Sequence, residues 1–407
     1  MGEWFTILAP QAKRSFDGKD GLRELFFYKN KARKLVPLLI VPVEPKKQPQ
    51  KQATAPSAAP TNFQGGRINT GSPQSAAVTS PNLAGSKSAG SSSGVTFVTL
   101  PYEVCRLIFN RLDDNVDLTC VGIAMPQLWG IAQRIIHHRY KAMLGKWAGE
   151  KIILVGEDLR AGDYPADLFS TEEVEVFLKE VQAWDRKRKH KRKVPCTSID
   201  LNYMPATYET SVTIAAEAAR VYDAVLDRYS RYPSIKLREK LLWIFTDRPD
   251  FTPRDQAWIL RNLTTNEFVT AEGIALDENR IYGPFVYGIG FADAILARAL
   301  WTSEGTEVLK YDGQIGRGVW AGHRFDITTR SRHDEVTKGE EWKDVSEKVK
   351  GEIVGIWESQ FGPDWKKSGR LDRSSRDNED EDEDERDVVH DLQVYVDTVV
   401  NVPPYYS

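Results

Sequence analysis

The residues that could do chemistry form one small polar group. His323, Arg324 and Asp326 follow Trp320, and a histidine beside a carboxylate is a pairing used for proton transfer. The six histidines of the chain show neither an H-E-x-x-H pattern nor the His/Cys spacing of a metal site. We therefore interpret the group as a packed turn with a hydrogen-bonded histidine, and we expect no catalytic residue, no metal and no cofactor. An enzyme with an unrecognised site in residues 146–366 remains as an alternative.

A glycine pattern also falls short of a nucleotide site. Gly288 and Gly290 precede a predicted helix, as glycines do in dinucleotide-binding loops. Asp293, however, stands where such loops have their third glycine. We therefore expect no dinucleotide there.

A run of cations offers binding chemistry instead. Residues 186–193 hold seven Lys or Arg side chains directly after a predicted helix. Such a run is typical of a nuclear import signal or a polyanion contact, and equally of a solvated helix end. No aromatic residue is interleaved with the charges, which makes nucleic acid an unfavoured partner. The candidate import signal consists of Arg186, Lys187, Arg188, Lys189, Lys191, Arg192 and Lys193.

The composition is that of a globular protein of two or three domains. The chain has 407 residues, of which 41% are hydrophobic and 28% charged, and its net charge is only −3. The longest apolar run, Leu35 to Val43, is far shorter than the roughly 20 residues that cross a bilayer. We therefore expect no membrane contact and a cytoplasmic and/or nuclear location.

The predicted helices and strands follow one another in no regular order. Apolar side chains at helical spacing predict a helix over 174–184, and Ser170 with Glu173 supplies a capping box at its start. We predict further helices over 215–229 and 341–357, and strands over 4–8, 151–155, 258–263 and 318–327. Because helices and strands follow no regular order, the pattern favours an α+β fold over a doubly wound sheet.

One short sequence occurs twice. Trp147-Ala148-Gly149 and Trp320-Ala321-Gly322 are each followed, after one residue, by a basic and then an apolar residue. Two copies are too few for a solenoid of stacked repeats. We interpret both as Trp-anchored turns that lead into strands, with a shared binding role as the alternative.

Residues 97–145 predict three short apolar helices. Leu100-Pro101 precedes the first, and the polar run 113–115 ends it and offers caps for the second. Pro126 begins the third. Three short helices expose more apolar surface than they can bury among themselves, so they need a partner or the rest of this chain.

This helical segment resembles an F-box. The order and spacing of its apolar residues agree with that family, and the two Trp-Ala-Gly turns are similar to those of fungal F-box-type chains. Where the family usually has a Cys or Ser and basic residues, this chain has Met125-Pro126-Gln127. The residues that carry the resemblance are Leu100, Pro101, Glu103, Val104, Ile108, Phe109, Leu112, Val116, Leu118, Val121, Leu128 and Trp129.

The resemblance implies a three-helix module that binds the Skp-type linker of an SCF (cullin–RING) ubiquitin ligase. The chain would then be a substrate adaptor for ubiquitin-dependent degradation, with a Skp-type adaptor, a cullin and an unknown target protein as partners. A scaffold protein outside any ligase, whose helical segment packs on its own α+β domain, is the alternative.

The sequence thus predicts an F-box-like module joined to a larger α+β domain, with a long disordered linker and an acidic loop. More than half of the linker consists of Pro, Gly, Ser and Ala, and the acidic loop contains the uninterrupted run 379–385. The predicted segments are 1–44 (strand and helix packed on the α+β domain), 45–95 (linker), 96–145 (F-box-like module), 146–366 (α+β target-binding domain), 367–389 (acidic loop) and 390–407 (strand and tail).

Overall fold

The computed structural model describes residues 4–16, 20–28, 32–44, 100–187, 198–204, 208–229, 241, 251–303, 309, 311, 313 and 315–367. The predicted linker (45–95) lies outside these residues. The predicted C-terminal strand and tail (390–407) and all but the first residue of the acidic loop (367–389) lie outside them as well.

The described residues form an α+β fold. The strands are β1 (Trp4–Ala9), β2 (Arg14–Ser15), β3 (Asp20–Gly21), β4 (Lys151–Gly156), β5 (Glu209–Thr210), β6 (Trp258–Asn262), β7 (Glu267–Thr270), β8 (Ile281–Tyr282), β9 (Phe285–Val286), β10 (Leu300–Trp301), β11 (His323–Thr329) and β12 (Lys343–Asp344). The α-helices are α1 (Leu35–Leu39), α2 (Tyr102–Phe109), α3 (Asn115–Ala124), α4 (Trp129–Met143), α5 (Thr171–Lys187), α6 (Ile214–Tyr229), α7 (Ala271–Ile274), α8 (Phe291–Ala299), α9 (Arg330–Val336) and α10 (Ser346–Phe361).

Ten of the strands form one mixed sheet in the order β12-β7-β6-β11-β4-β1-β2-β5. Strand β10 also pairs with β4, and β3 pairs with β1. Strands β8 and β9 form a separate hairpin. The centre of the sheet is the antiparallel pair β4 and β11, where Ile152 lies opposite His323.

Three apolar clusters hold the fold together. The largest lies on one face of the sheet, beneath α1, α8 and α10. A second lies on the other face of β1 and β4, where α5 covers Leu8 and Ile153. The third joins α2, α3 and α4 to α6. Within the described part of the chain, no helix has the length and apolar content needed to cross a membrane.

Local sequence signals place several of the longer elements correctly. The predicted strands over 4–8, 151–155 and 258–263 are β1, β4 and β6, and the predicted helix over 215–229 is α6. The capping box of α5 is confirmed, because the Ser170 N–H donates to Glu173 Oε2 at 2.8 Å and the Glu173 N–H donates to Ser170 Oγ at 3.2 Å.

Two predicted boundaries are wrong. The strand predicted over 318–327 begins at His323, because the residues before it form a turn in which Gly322 has a φ of 76°. The helix predicted over 341–357 begins at Ser346, because Lys343 and Asp344 pair with β7 as an edge strand. A tight turn thus decided the first boundary and long-range strand pairing the second.

The three helices predicted within 97–145 are α2, α3 and α4. Asp114 caps α3, since its carboxylate accepts the Val116 N–H at 2.9 Å. Their shared apolar surface is covered by α6, which lies in the segment that the sequence assigned to the separate α+β domain. The four helices α2, α3, α4 and α6 are called the helical unit below.

Candidate partner-binding surface

Helix α2 is apolar on two sides. Cys105 and Phe109, one helical turn apart, are buried in the helical unit. Val104 and Leu107 lie on the other side of the helix, and the Leu107 side chain is 63% exposed. These two side chains are called the outer face of α2. A helix of a monomeric protein normally turns its apolar residues toward the core, so the outer face is unusual.

The segment after α2 is held by one arginine. The Arg139 guanidinium of α4 donates to the carbonyl of Asp113 at 2.9 Å and also to the carbonyl of Leu112. The same group donates to Asn115 Oδ1 at 3.0 Å. These bonds pair carbonyl oxygens of the loop between α2 and α3, and they tie that loop to α4.

Polar pairs fasten the start of α3 to α6. Asp114 accepts a hydrogen bond from Arg220 at 2.8 Å, and this bond holds the pKa of the Asp114 carboxyl below its usual range. Asn115 Nδ2 donates to Glu217 Oε1 at 2.9 Å, and Asp117 pairs with Arg228. Because such exposed ion pairs each contribute little to stability, we infer that they orient α6 while apolar packing holds it.

The structure divides the residues that carry the F-box resemblance into two groups. Phe109, Val116, Leu118 and Leu128 are buried and serve the core of the helical unit. Accessible or partly accessible are Leu100, Pro101, Glu103, Val104, Ile108, Leu112, Val121 and Trp129. Sequence reasoning missed Leu107, although this residue follows Val104 by three positions and so shares its side of the helix.

The candidate import signal falls mainly outside the described residues. Arg186 and Lys187 are the last two residues of α5. Arg188, Lys189, Lys191, Arg192 and Lys193 lie outside the part of the chain that the structure describes.

The polar group around His323 does not come together as one site. His323 Nδ1 lies 2.9 Å from Asn262 Nδ2, and burial lowers the pKa of this histidine. Asp326 instead accepts two hydrogen bonds from Arg261, at 2.8 and 2.6 Å. Positions 323 and 326 of a strand point to opposite faces of the sheet. The hydrogen bond predicted for this histidine is present, but His323 lies at the start of strand β11 and not in the turn before it.

The residue that broke the glycine pattern has a local structural role. The Asp293 carboxylate accepts the Gly290 N–H at 2.9 Å, at the start of α8. Among the described residues, no three His, Cys, Asp or Glu side chains converge as a metal site requires.

Comparisons with protein-family models, with curated proteins and with solved structures found no match to this chain. Its function is therefore inferred from the residues and from the geometry of the α2 surface.

Proposed function

We propose that this chain is an F-box-type substrate adaptor, which recruits a target protein to a cullin–RING ubiquitin ligase through a Skp-type linker. Helices α2, α3 and α4 are the F-box-like module. The α+β domain presents the target, in the cytoplasm and/or the nucleus. No residue of the chain does chemistry, because the mechanism is a raised effective concentration of the target near the ligase.

The outer face of α2 is the observation that supports this proposal. Val104 and Leu107 lie exposed on a helix whose other side is buried. Exposed apolar side chains grouped in this way mark surfaces that bind other proteins. Leu100, Pro101 and Ile108 adjoin them in the sequence and are at least partly accessible. These are positions through which the F-box resemblance implies docking.

The test is a matched pair of charge substitutions in the full chain. Leu107→Glu places a carboxylate on the outer face of α2, where the exposed side chain makes unfolding an unfavoured outcome. We expect it to weaken binding to a recombinant Skp-type adaptor by about tenfold or more, as hot-spot residues do. Val319→Glu is the control, because Val319 is 66% exposed and lies outside the helical unit.

Binding would be measured by titration calorimetry, and folding by circular dichroism. Equal affinity of the two variants would contradict the proposal. Failure of the wild-type chain to bind the adaptor at all would contradict it as well.

A scaffold that acts outside any ligase is the second candidate. It is favoured by the packing of α3 on α6, which builds the F-box-like helices into the rest of the chain. The two candidates differ in what is recovered with the chain from cells. A substrate adaptor brings down the cullin together with the Skp-type protein, whereas a scaffold brings down no cullin.

A further inference from the structure

We infer that the α+β domain is an internal duplication into which the F-box-like helices have been inserted. Copy 1 consists of residues 4–44 and 145–229, and copy 2 consists of residues 258–361. Helices α2, α3 and α4 lie between the two parts of copy 1. This inference rests on backbone geometry and is independent of the proposed function.

The two copies begin with equivalent hairpins. In β1–β2, Ala9 pairs with Arg14 across a four-residue turn that ends at Lys13. In β6–β7, Asn262 pairs with Glu267 across a four-residue turn that ends at Asn266. Lys13 and Asn266 have φ values of 51° and 52°, and within the described chain they are the two residues other than glycine with positive φ. Such a conformation is uncommon for residues other than glycine, although Asn adopts it more readily than Lys, so its occurrence at matching positions is informative.

The strands on either side of each hairpin also match. Leu8 of β1 lies opposite Ile153 of β4, and the equivalent Arg261 of β6 lies opposite Asp326 of β11. At the outer edge, β5 runs parallel to β2 and β12 runs parallel to β7. The strand order of the sheet therefore reads the same outward from β4 and from β11.

The two Trp-Ala-Gly turns make matching contacts, each with the other copy. The Gly149 N–H donates to the carbonyl of Phe325 at 2.7 Å, and the Gly322 N–H donates to the carbonyl of Ile152 at 2.9 Å. Each turn thus binds the strand that follows the other turn. Both glycines have positive φ, 82° and 76°. The repeated sequence is therefore the most visible trace of the duplication, and its role is to join the copies.

Each copy also donates a short extended segment to the other. Ile40, after α1 of copy 1, forms a parallel bridge with Ile327 of β11. Leu300, after α8 of copy 2, pairs in parallel with Leu154 of β4. Because the segments cross over, neither copy has a complete sheet alone, and we expect the two to fold and unfold together.

The inserted helices occupy one of two equivalent connections. Copy 1 leaves the sheet after Val41, which still bonds β11, and copy 2 leaves it after Trp301, which still pairs with β4. The chain returns to each copy at Gly145 and Gly318. The connection in copy 1 contains α2, α3 and α4. Helix α6, which follows the outer strand of copy 1 as α10 follows that of copy 2, packs on α3 and not within its own copy.

Hydrogen exchange of the full chain, followed by mass spectrometry, tests the inference. Gly149→Ala and Gly322→Ala each place a Cβ on a left-handed backbone, which is unfavourable for an L-residue. We expect each variant to accelerate exchange about tenfold in β4 and in β11 alike. Gly130→Ala is the control, because this exposed glycine of α4 has open space around it, and it should leave both strands unchanged.

Phe109→Ala supplies the second arm, since it removes a side chain from the core of the helical unit. We expect faster exchange in α2, α3 and α4 with β4 and β11 unchanged, as for an insertion. Two results would overturn the inference. One is a glycine variant that accelerates exchange in only one copy, and the other is a Phe109→Ala variant that accelerates exchange in β4 and β11 as much as in the helices. If a glycine variant does not fold, the exchange protection of the Gly149 and Gly322 amides is compared in the wild-type chain. Equal protection supports the duplication, and protection of one alone contradicts it.

Discussion

Copy 1 and copy 2 share a backbone, but they bury different chemistry on one face of the sheet. On the face beneath α1, α8 and α10 both copies are apolar, with Phe5 and Ile7 in copy 1 and Trp258 and Leu260 in copy 2. On the opposite face the cross-strand pair Leu8–Ile153 of copy 1 becomes Arg261–Asp326 in copy 2.

The residues around each pair match it in polarity. In copy 1, Phe169 and Phe177 cover the apolar pair in a T-shaped contact of 5.1 Å between ring centroids. In copy 2, His333 lies 4.9 Å from Trp342, whose ring lies beneath the Arg261 guanidinium. The backbone pairing is the same in both copies, so turn geometry and strand register define the fold. This face of the sheet accommodates either an apolar pair or an ion pair.

The largest difference between the copies should appear when the ionic pair is broken. Asp326→Ala leaves the buried Arg261 charge without its partner, which we expect to lower the free energy of unfolding by about 3–5 kcal/mol. The double variant Arg261→Leu, Asp326→Ile transfers the copy 1 pair into copy 2. Because apolar replacements of buried ion pairs are often neutral or stabilising, we expect it to recover most of the loss.

Denaturant titration of the single and double variants checks this expectation. The double variant should lie within about 1 kcal/mol of the wild type, or above it. If instead it is as unstable as Asp326→Ala, then copy 2 depends on its ion pair and the two fillings are not interchangeable.

The paired tryptophans give a smaller and more selective comparison. Trp147 Nε1 donates to the neutral Ser211 hydroxyl at 2.9 Å, and Trp320 Nε1 donates to the Glu267 carboxylate at 2.8 Å. Arg298 also lies over the Trp320 ring, 4.6 Å from its centroid. Trp→Phe removes the same atoms from two fully buried sites.

We expect Trp320→Phe to lower the free energy of unfolding by about 1–2 kcal/mol more than Trp147→Phe. The reason is that a hydrogen bond to a charged group contributes about 1.5–3 kcal/mol and a neutral one about 0.5–1.5 kcal/mol. Thermal or denaturant unfolding of both variants measures the difference. Equal losses would mean that the two turns are energetically as well as geometrically alike.

Local signals in the sequence were enough for the longer strands and helices but not for their assembly. The capping box at Ser170 and the apolar spacing of β4 depend on neighbours in the chain, and both elements were predicted. The equivalence of the β1–β2 and β6–β7 hairpins was not, because the two share register and backbone conformation but little sequence. The repeated Trp-Ala-Gly was the one trace of the duplication that could be read directly.

The candidate site could be predicted only in outline. Val104, Leu107 and Ile108 lie on one side of α2 and Cys105 and Phe109 on another, so the sequence offers two apolar sides. Which side is buried depends on where α4 and the other helices of the unit pack, and the helix itself carries no signal for that choice. The attachment of α6, far along the chain, was missed for the same reason.

The smallest expected effect is a pH dependence of stability that comes from His333, a residue of copy 2. This histidine is 3% exposed, and its Nδ1 is buried without a hydrogen-bond partner. Burial, together with the nearby charges of Arg261 and Arg330, lowers its pKa below the ordinary value of 6.5. In the corresponding layer of copy 1 stands the aromatic pair Phe169–Phe177, and neither ring takes up a proton.

Stability should therefore fall as the pH drops through about 6.5, because the unfolded chain binds a proton there that the folded His333 does not accept. Above that pH the ring is neutral in both states, and its contribution is fully present. We expect His333→Phe, whose ring can lie between Phe268 and Trp342, to flatten this loss, measured by urea unfolding between about pH 7.5 and pH 5.5. His323, whose pKa is also lowered, remains in the variant, so a reduced slope is expected and not a flat line. An unchanged slope would show that the ionic face of copy 2 tolerates the extra charge, and that the two copies respond to acid alike.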